Sequence, residues 1–171
     1  MKYDGFTPAQ MREEIRSGRF AGHTSGSCPG YAQANLVVLP KEYAYDFLLF
    51  AQRNPKACPL LEVTDTGSRF LKTIAPGADI AKDIPRYRLY ENGVLTGEYT
   101  DVSALWRDDL VSFLIGCSFS FEADLLAADV PVRQIEEERT CPCTTRTFPA
   151  SLPAFSTGTW WSPCGPFPMN S

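Results

Sequence analysis

Histidine is all but absent: His23 is the only one in 171 residues. A Ser-His-Asp or Cys-His nucleophile would have to be built on it, and a lone surface histidine is the better reading. A four-ligand zinc site is excluded on similar grounds. Of the six cysteines, only Cys141 and Cys143 lie close together, whereas such sites show two clustered ligand pairs. No apolar run approaches the ~18 residues of a membrane span. Met1 to Arg19 has no apolar stretch of the secretory kind, so no leader is expected. Without one, a disulfide framework is a poor reading, and reduced thiols in a cytoplasmic protein are expected. Basic residues are outnumbered, 16 against 20 acids, for a net charge of −4. That balance argues against a chain that neutralises nucleic-acid phosphates.

Charge itself is missing from one part of the chain. Residues 140–171 hold a single charged residue, Arg146, together with six of the 14 prolines and the pair Trp160-Trp161. Neither helical nor strand periodicity runs through this segment, yet it is too aromatic for a solvated tail. The sequence therefore divides at about Arg139, into a body over 1–139 and an irregular C-terminal tail.

The body reads as a mixed α/β pattern. Thr7-Pro8-Ala9-Gln10 starts a helix, with Thr7 as cap, proline at the first position and Gln10 closing a capping box. Leu36 to Leu39 is a short apolar run that predicts a strand buried on both faces. Lys41 to Arg53 has helical spacing, and Asn54-Pro55 ends it. Pro59 to Thr64 predicts a second strand. Residues 65–85, rich in Gly, Pro and Asp, predict a connector. Arg86–Tyr90 and Val94–Tyr99 predict a hairpin about Asn92-Gly93, where both residues accept positive φ. Ala104 to Ile115 fits a helix through Leu105, Leu110, Val111, Leu114 and Ile115, and a further helix, capped by Ser118 or Ser120, should run through Ala128. The expected fold is a mixed sheet with helices packed on it, plus a smaller α+β part over roughly 65–139 that contains the hairpin.

Four constellations could carry chemistry. Gly22 to Gly30, leading into Gln33, Asn35 and a strand, is glycine-rich, but it matches no phosphate-loop motif, and a mobile surface loop is favoured. Arg53-Asn54 at a helix end could clamp a carboxylate, because the guanidinium fork binds both oxygens, or could simply offset the helix dipole. Arg107-Asp108-Asp109 could divide acid and base roles, or could be a solvated face. Gly116-Cys117-Ser118-Phe119-Ser120-Phe121-Glu122 offers backbone amides for an oxyanion, or is a capped junction around an inert thiol. Taken alone, these residues point to an α/β domain that binds an anion.

Longer stretches carry a resemblance. They include Tyr31-Ala32-Gln33-Ala34-Asn35, Arg53-Asn54-Pro55-Lys56, Cys58-Pro59-Leu60-Leu61-Glu62 and Ala75-Pro76-Gly77-Ala78-Asp79. Pro85-Arg86-Tyr87-Arg88, Trp106-Arg107-Asp108-Asp109-Leu110, Gly116 to Glu122 and Pro131 to Glu136 continue it. Over nearly all of residues 5–139 the chain resembles the YcsI-like family of hydro-lyases, which includes a domain of the eukaryotic D-glutamate cyclases. The resemblance implies a two-part α/β fold and a lyase that removes water from a small acidic substrate, as in closing D-glutamate to 5-oxo-D-proline. It implies no cofactor and supplies no assigned catalytic residues. On the residues themselves, Asn35, Arg53, Asn54 and Arg107 are the expected substrate contacts. Asp108, Asp109, Cys117, Ser118, Ser120 and Glu122 are the expected catalytic groups, with no metal. Expected partners are the substrate and, at most, further copies of the chain; nucleic acid and membrane are not expected. The alternatives are a carboxylate-binding or regulatory module without turnover, and an inactive fragment.

The resemblance stops near Arg139, where the family continues with words such as Asn-Val-Pro-Met-Tyr and Val-Val-Ser-Met-Arg. Codons exist for Thr140–Ser151 and Trp160–Gly165 whose one-base shift spells those words. Residues 140–171 are therefore expected to be out-of-frame translation, without a packed element and with Trp160 and Trp161 largely exposed or touching the body only loosely.

Overall fold

A computed structural model describes residues 3, 5–24, 27–132 and 160–161. The first helix, α1 (Pro8–Arg16), starts as its sequence dictates. Thr7 caps it, and Gln10 returns the bond to the Thr7 amide, completing the box. Met11 and Ile15, one turn apart, bury against Cys28 with Phe6, Phe20 and Tyr31 around them, a small apolar knot of their own.

Strand β1 (Ala34–Pro40) leads directly into helix α2 (Lys41–Arg53). Every residue of β1 except Asn35 is buried, as its unbroken apolar run requires. Strand β2 (Leu60–Val63) forms where expected but is a half-buried edge. The hairpin strands β3 (Tyr87–Glu91) and β4 (Val94–Tyr99) turn at Asn92-Gly93, whose φ angles of 51° and 77° are the positive pair this turn needs.

One expected element is replaced by another kind. Ala104 to Ile115 is not a helix. Ser103–Leu105 makes a single 3-10 turn, and Leu110–Gly116 is strand β5. Alternate residues of β5 face two different cores, so a run apolar at every position but Ser112 satisfies a buried strand better than a one-sided helix. The following helix α3 (Glu122–Ala127) does form, after a 3-10 turn over Ser118–Phe121. Neither Ser118 nor Ser120 caps it; Phe121 stands at the cap position, with no side-chain bond.

The sheet order is β2-β5-β1-β6-β3-β4, where β6 is Trp160–Trp161, and every pairing is antiparallel. The hairpin is linked to the main sheet through β6. Trp160–Trp161 also departs from expectation, because its backbone pairs with both β1 and β3. The rest of 140–171 lies outside the described residues.

Two cores flank the sheet. On one face α2 lays Ala44 and Phe47 over Val37, Leu39, Val111 and Phe113. On the other, Leu36, Val38 and Leu114 meet Leu71, Ile80 and Ile84. The expected connector over 65–85 is thus irregular in backbone but is a core layer. Glu62 on β2 ties it down by accepting the amides of Lys72 (2.8 Å) and Ile74 (2.9 Å). Buried Tyr87 ties it from the other side, donating to the Ile80 carbonyl at 2.8 Å and accepting from the Ile84 amide at 3.2 Å.

Desolvation raises the Tyr87 phenol well above its usual range. The folded chain therefore holds this proton more tightly than the unfolded chain does. Its contribution to stability is complete below the unfolded pKa of about 10 and is lost as pH rises beyond it. Urea midpoints between pH 8 and 11 should fall steeply above pH ~10 in the wild type. Tyr87→Phe should start lower by about 1–2 kcal/mol at neutral pH, yet show a shallower alkaline slope. Parallel slopes would remove Tyr87 from the account.

Candidate active site

The expected site residues separate into two groups, at opposite ends of β5. At its start, the Asp109 carbonyl accepts from the Lys41 amide at 2.8 Å, where β1 passes into α2. Arg107 makes a two-pronged pair with the Asp109 carboxylate, at 2.8 and 3.0 Å, and this pair is solvent-exposed. The bond to Arg107 holds the Asp109 carboxyl below its usual range and raises the guanidinium. Asp108 lies in a turn whose backbone presses on Gly67. A Cβ at Gly67, which has φ +80°, would sit 2.9 Å from the Asp108 carbonyl oxygen. Trp106 donates its indole N–H to the Gly67 carbonyl at 3.0 Å. This end is a tightly fitted corner.

The other end of β5 gathers Asn35, Cys117, Ser118, Ser120 and Glu122. Cys117 donates its amide to the Gln33 carbonyl at 2.9 Å, one step beyond the Ala34–Gly116 pair. Gly116 donates to the Pro59 carbonyl at 2.8 Å on the opposite side. The register carried one further step sets Cys58 across from Cys117. Helix α2 returns along β1 and ends at Arg53, just before the turn in which the Asn54 carbonyl accepts the Cys58 amide at 2.9 Å. Arg53 and Asn54 thus belong to this end of the sheet. The Asn54 side chain is committed to closing the helix, since Nδ2 donates to the Phe50 carbonyl at 2.9 Å.

Geometry keeps the two groups apart. Eight residues of extended chain, from Asp109 to Cys117, span roughly 27 Å at ~3.4 Å each. Arg107, Asp108 and Asp109 therefore cannot act on the atoms that Cys117 or Glu122 touch.

Several groups at the Cys117 end already have partners. The Ser120 hydroxyl accepts the Gln33 amide at 2.7 Å and reaches the Gln33 carbonyl at 3.3 Å, so it continues the sheet by side chain. The amides of Gly116, Cys117 and Ser120 are given to Pro59, Gln33 and Cys117, which narrows the oxyanion donors expected there. The first residues of a 3-10 turn have no acceptor within the turn, so Ser118 and Phe119 present the amides that this turn can aim outward. Glu122 is buried at 4% exposure in the first turn of α3. Asn35 keeps a buried Oδ1 with no partner among the described residues. Burial pushes the Cys58 thiol up, so it stays protonated at neutral pH.

Gln33, noted beside the glycine-rich loop but given no role, organises this end. Its buried side-chain amide donates to the Thr24 and Ser27 carbonyls, both at 3.3 Å, and accepts from the Thr24 hydroxyl at 3.1 Å. Those bonds fold the described part of the Gly22–Gly30 loop against the root of β1, in place of the mobile loop expected. A polar residue just ahead of an apolar strand was the signal available. Among the described residues, no three His, Cys, Asp or Glu side chains are grouped to hold a metal, and no helix is long and apolar enough to cross a membrane.

The family model for D-glutamate cyclase matches residues 111–166, a span that begins in β5 and includes the whole Gly116–Glu122 turn. It also continues past Arg139, where the sequence resemblance was expected to stop. Among curated proteins, the chain is 68% identical over 142 residues to a protein of Clostridium beijerinckii named "Putative hydro-lyase", covering 83% of this chain and 54% of that protein. A protein of the same name in Stutzerimonas stutzeri is 58% identical over 152 residues, 89% of this chain and 57% of the relative. One from Bacillus velezensis is 48% identical over 161 residues, 94% of this chain and 57% of the relative. The chain thus spans a little over half the length of these relatives. With such identity across most of its length, the chain belongs to the D-glutamate cyclase-like hydro-lyase family.

Proposed function

We propose that the sheet end around Cys117 is the substrate end of a lyase that closes D-glutamate to 5-oxo-D-proline. The supporting observation is that Asn35 of β1, the end of α2 with Arg53, and the turn leading to Glu122 lie towards one end of the sheet. In this reaction the substrate amine attacks the side-chain carboxyl carbon. The C–N bond forms, a C–O bond breaks, and the departing oxygen leaves as water with two protons. Arg53 suits the carboxylate that does not react, because its fork matches two oxygens. The unpartnered Asn35 oxygen suits the attacking amine, as acceptor of one of its protons. The Ser118 and Phe119 amides suit the tetrahedral oxyanion, and Glu122 suits proton transfer to the departing hydroxide. Cys117 stands in the wall of the site. Arg107, Asp108 and Asp109 take no part on this reading.

The test uses a polypeptide spanning the full length of the relatives, incubated with D-glutamate and followed for 5-oxoproline. Glu122→Gln should lower kcat by about 10²-fold or more. Arg53→Ala should act mainly on KM. Binding of D-glutamate without product would favour a carboxylate-binding module; neither binding nor product would exclude both readings. A cytoplasmic setting goes with this reading, as the expectation of reduced thiols implies.

The out-of-frame origin of 140–171 remains a separate proposal. Loss of charge and the dense prolines support it, and the family match through residue 166 weighs against it. Sequencing the gene across codons 135–145 decides it: an intact frame, with no family-like continuation in the neighbouring frame, ends the idea.

A further inference from the structure

On the face of the sheet that α2 covers, β1 changes character along its length. Leu39 and Val37 are apolar and pack under the helix. Asn35 and then Gln33 follow on the same face, because side chains two residues apart leave a strand in one direction. Ile115 lies across from Asn35, and Cys117 across from Gln33. Polar groups in such a place are costly unless they are partnered, and the two amides differ in this respect. Both side-chain N–H groups of Gln33 go to carbonyls, those of Thr24 and Ser27, and its oxygen takes the Thr24 hydroxyl. Its main chain is engaged as well, with Ser120 Oγ on the amide, and Cys117 and Ser120 on the carbonyl. Gln33 thus has no donor left for a ligand. Asn35 Oδ1, one step along the same face, is the oxygen without a partner among the described residues. Gln33 is committed to building this end of the sheet, and Asn35 keeps an acceptor for what binds there.

Ser120 makes the second tie. Its hydroxyl reaches both main-chain groups of Gln33, taking the part of a neighbouring strand, although 87 residues separate the two. The Ser120 amide closes its own turn on the Cys117 carbonyl at 3.2 Å. Ser27 donates its amide to the Thr24 carbonyl at 2.9 Å, and both residues are buried. Loop, strand root and turn are therefore chained in order. Thr24 and Ser27 hold the Gln33 side chain, and the Gln33 main chain holds Ser120.

We propose that Gln33 and Ser120 are the positioning residues of the substrate end. They fix Thr24 and Ser27 as one wall of it, beside Asn35, and they set the direction in which the Ser118 and Phe119 amides point. Neither acts on the substrate itself; each works through the groups it holds in place. The inference deepens the lyase reading and rests on it for the reaction that those amides serve. A misplacement of about 1 Å in such a donor is enough to slow a reaction up to roughly 10²-fold, so a tie made far from the reacting atoms has a large lever.

Two measurements test this. In this chain, hydrogen exchange is followed in peptides covering 22–31, 110–115 and 116–122. Ser120→Ala removes the tie without altering the loop, yet exchange over 22–31 should quicken by about tenfold while 110–115 keeps its wild-type rate. Gln33→Glu sets a carboxylate against two carbonyls and should quicken 22–31 and 116–122 together. Ser120→Thr keeps the hydroxyl and should restore the wild-type rates. In the full-length polypeptide of the lyase test, Ser120→Ala should lower kcat by about 10- to 100-fold and change KM by under about twofold, because the oxyanion forms only after the substrate is bound. Unchanged exchange over 22–31 in Ser120→Ala would overturn the proposal. So would a wild-type kcat, or a loss that Ser120→Thr does not repair. Equal quickening of all three peptides would reduce both residues to general stability and overturn it too. Should Gln33→Glu fail to fold, the two Ser120 variants decide. Linked exchange in a polypeptide that makes no 5-oxoproline sinks the lyase reading and supports the tie. Full turnover in Ser120→Ala sinks the positioning role and leaves the lyase reading intact, so the two fail separately.

Discussion

Asp83→Ala is expected to cost about 3–5 kcal/mol, the range for breaking a buried ion pair from one side. The Asp83 side chain is wholly buried. It accepts from Arg16 Nε and, at 2.7 Å, from Arg16 Nη2; it also accepts the Asp79 amide at 2.8 Å, and Arg12 lies 3.7 Å away. This carboxylate is what holds α1 to the 65–85 layer by charge. Its loss strands Arg12, whose guanidinium burial already lowers from its usual range and which Asp83 offsets. A loss of that size is a large share of the ~5–15 kcal/mol that holds a typical domain together. Arg16→Ala should cost less, because Arg16 is 43% exposed and can give its charge back to water. Urea unfolding of the two variants checks the order. A loss under ~1 kcal/mol for Asp83→Ala would mean that α1 docks by its Met11 knot alone.

Phe113→Ala is expected to cost about 3–5 kcal/mol through lost burial and an unfilled cavity. Phe113 is 1% exposed at the centre of β5, paired with Val37 on one side and Val63 on the other. Its ring meets Phe47 edge-on, with centroids 4.9 Å apart and planes at 67°. That contact fixes α2 to the sheet, and so fixes where Arg53 lies. The double variant with Phe47→Ala should show a coupling of about 0.5–1.5 kcal/mol beyond the summed single losses. Strict additivity would mean that α2 is held by its link to β1 and not by the ring pair.

Local signals were legible where one period dominates. Thr7-Pro8 with Gln10, the run Leu36–Leu39 and Asn92-Gly93 each admit one low-energy backbone, and the structure adopts it. Strand β5 was not legible, because Leu110, Val111, Leu114 and Ile115 satisfy helical spacing and also fill a strand packed on both faces. Only the layers on either side, α2 and the 65–85 segment, decide between the two. Those layers are built from residues far away in sequence, and Ala78, Ile80 and Ala81 sit in a stretch whose glycine and proline read as surface. The Gly116–Glu122 turn was legible as a segment, but its place in the sheet was not. Once β5 is extended, Arg107–Asp109 moves to the far end of the sheet. Gln33, noted in the sequence only as following the glycine-rich loop, becomes the residue that joins loop, strand and turn.

The strand order has a consequence for synthesis. β1 leaves the ribosome early, but its main partner, β5, follows roughly seventy residues later, and at ~5–20 residues per second that is a wait of several seconds or more. Through that interval β1 is an uncharged apolar segment without its ladder. The contacts that shelter it are among the most distant in the chain, the kind that form slowly and late. A nascent chain of this design depends on something else covering β1 in the meantime. Its yield in a cell should respond more to chaperone supply and translation speed than to the equilibrium stability of the finished sheet.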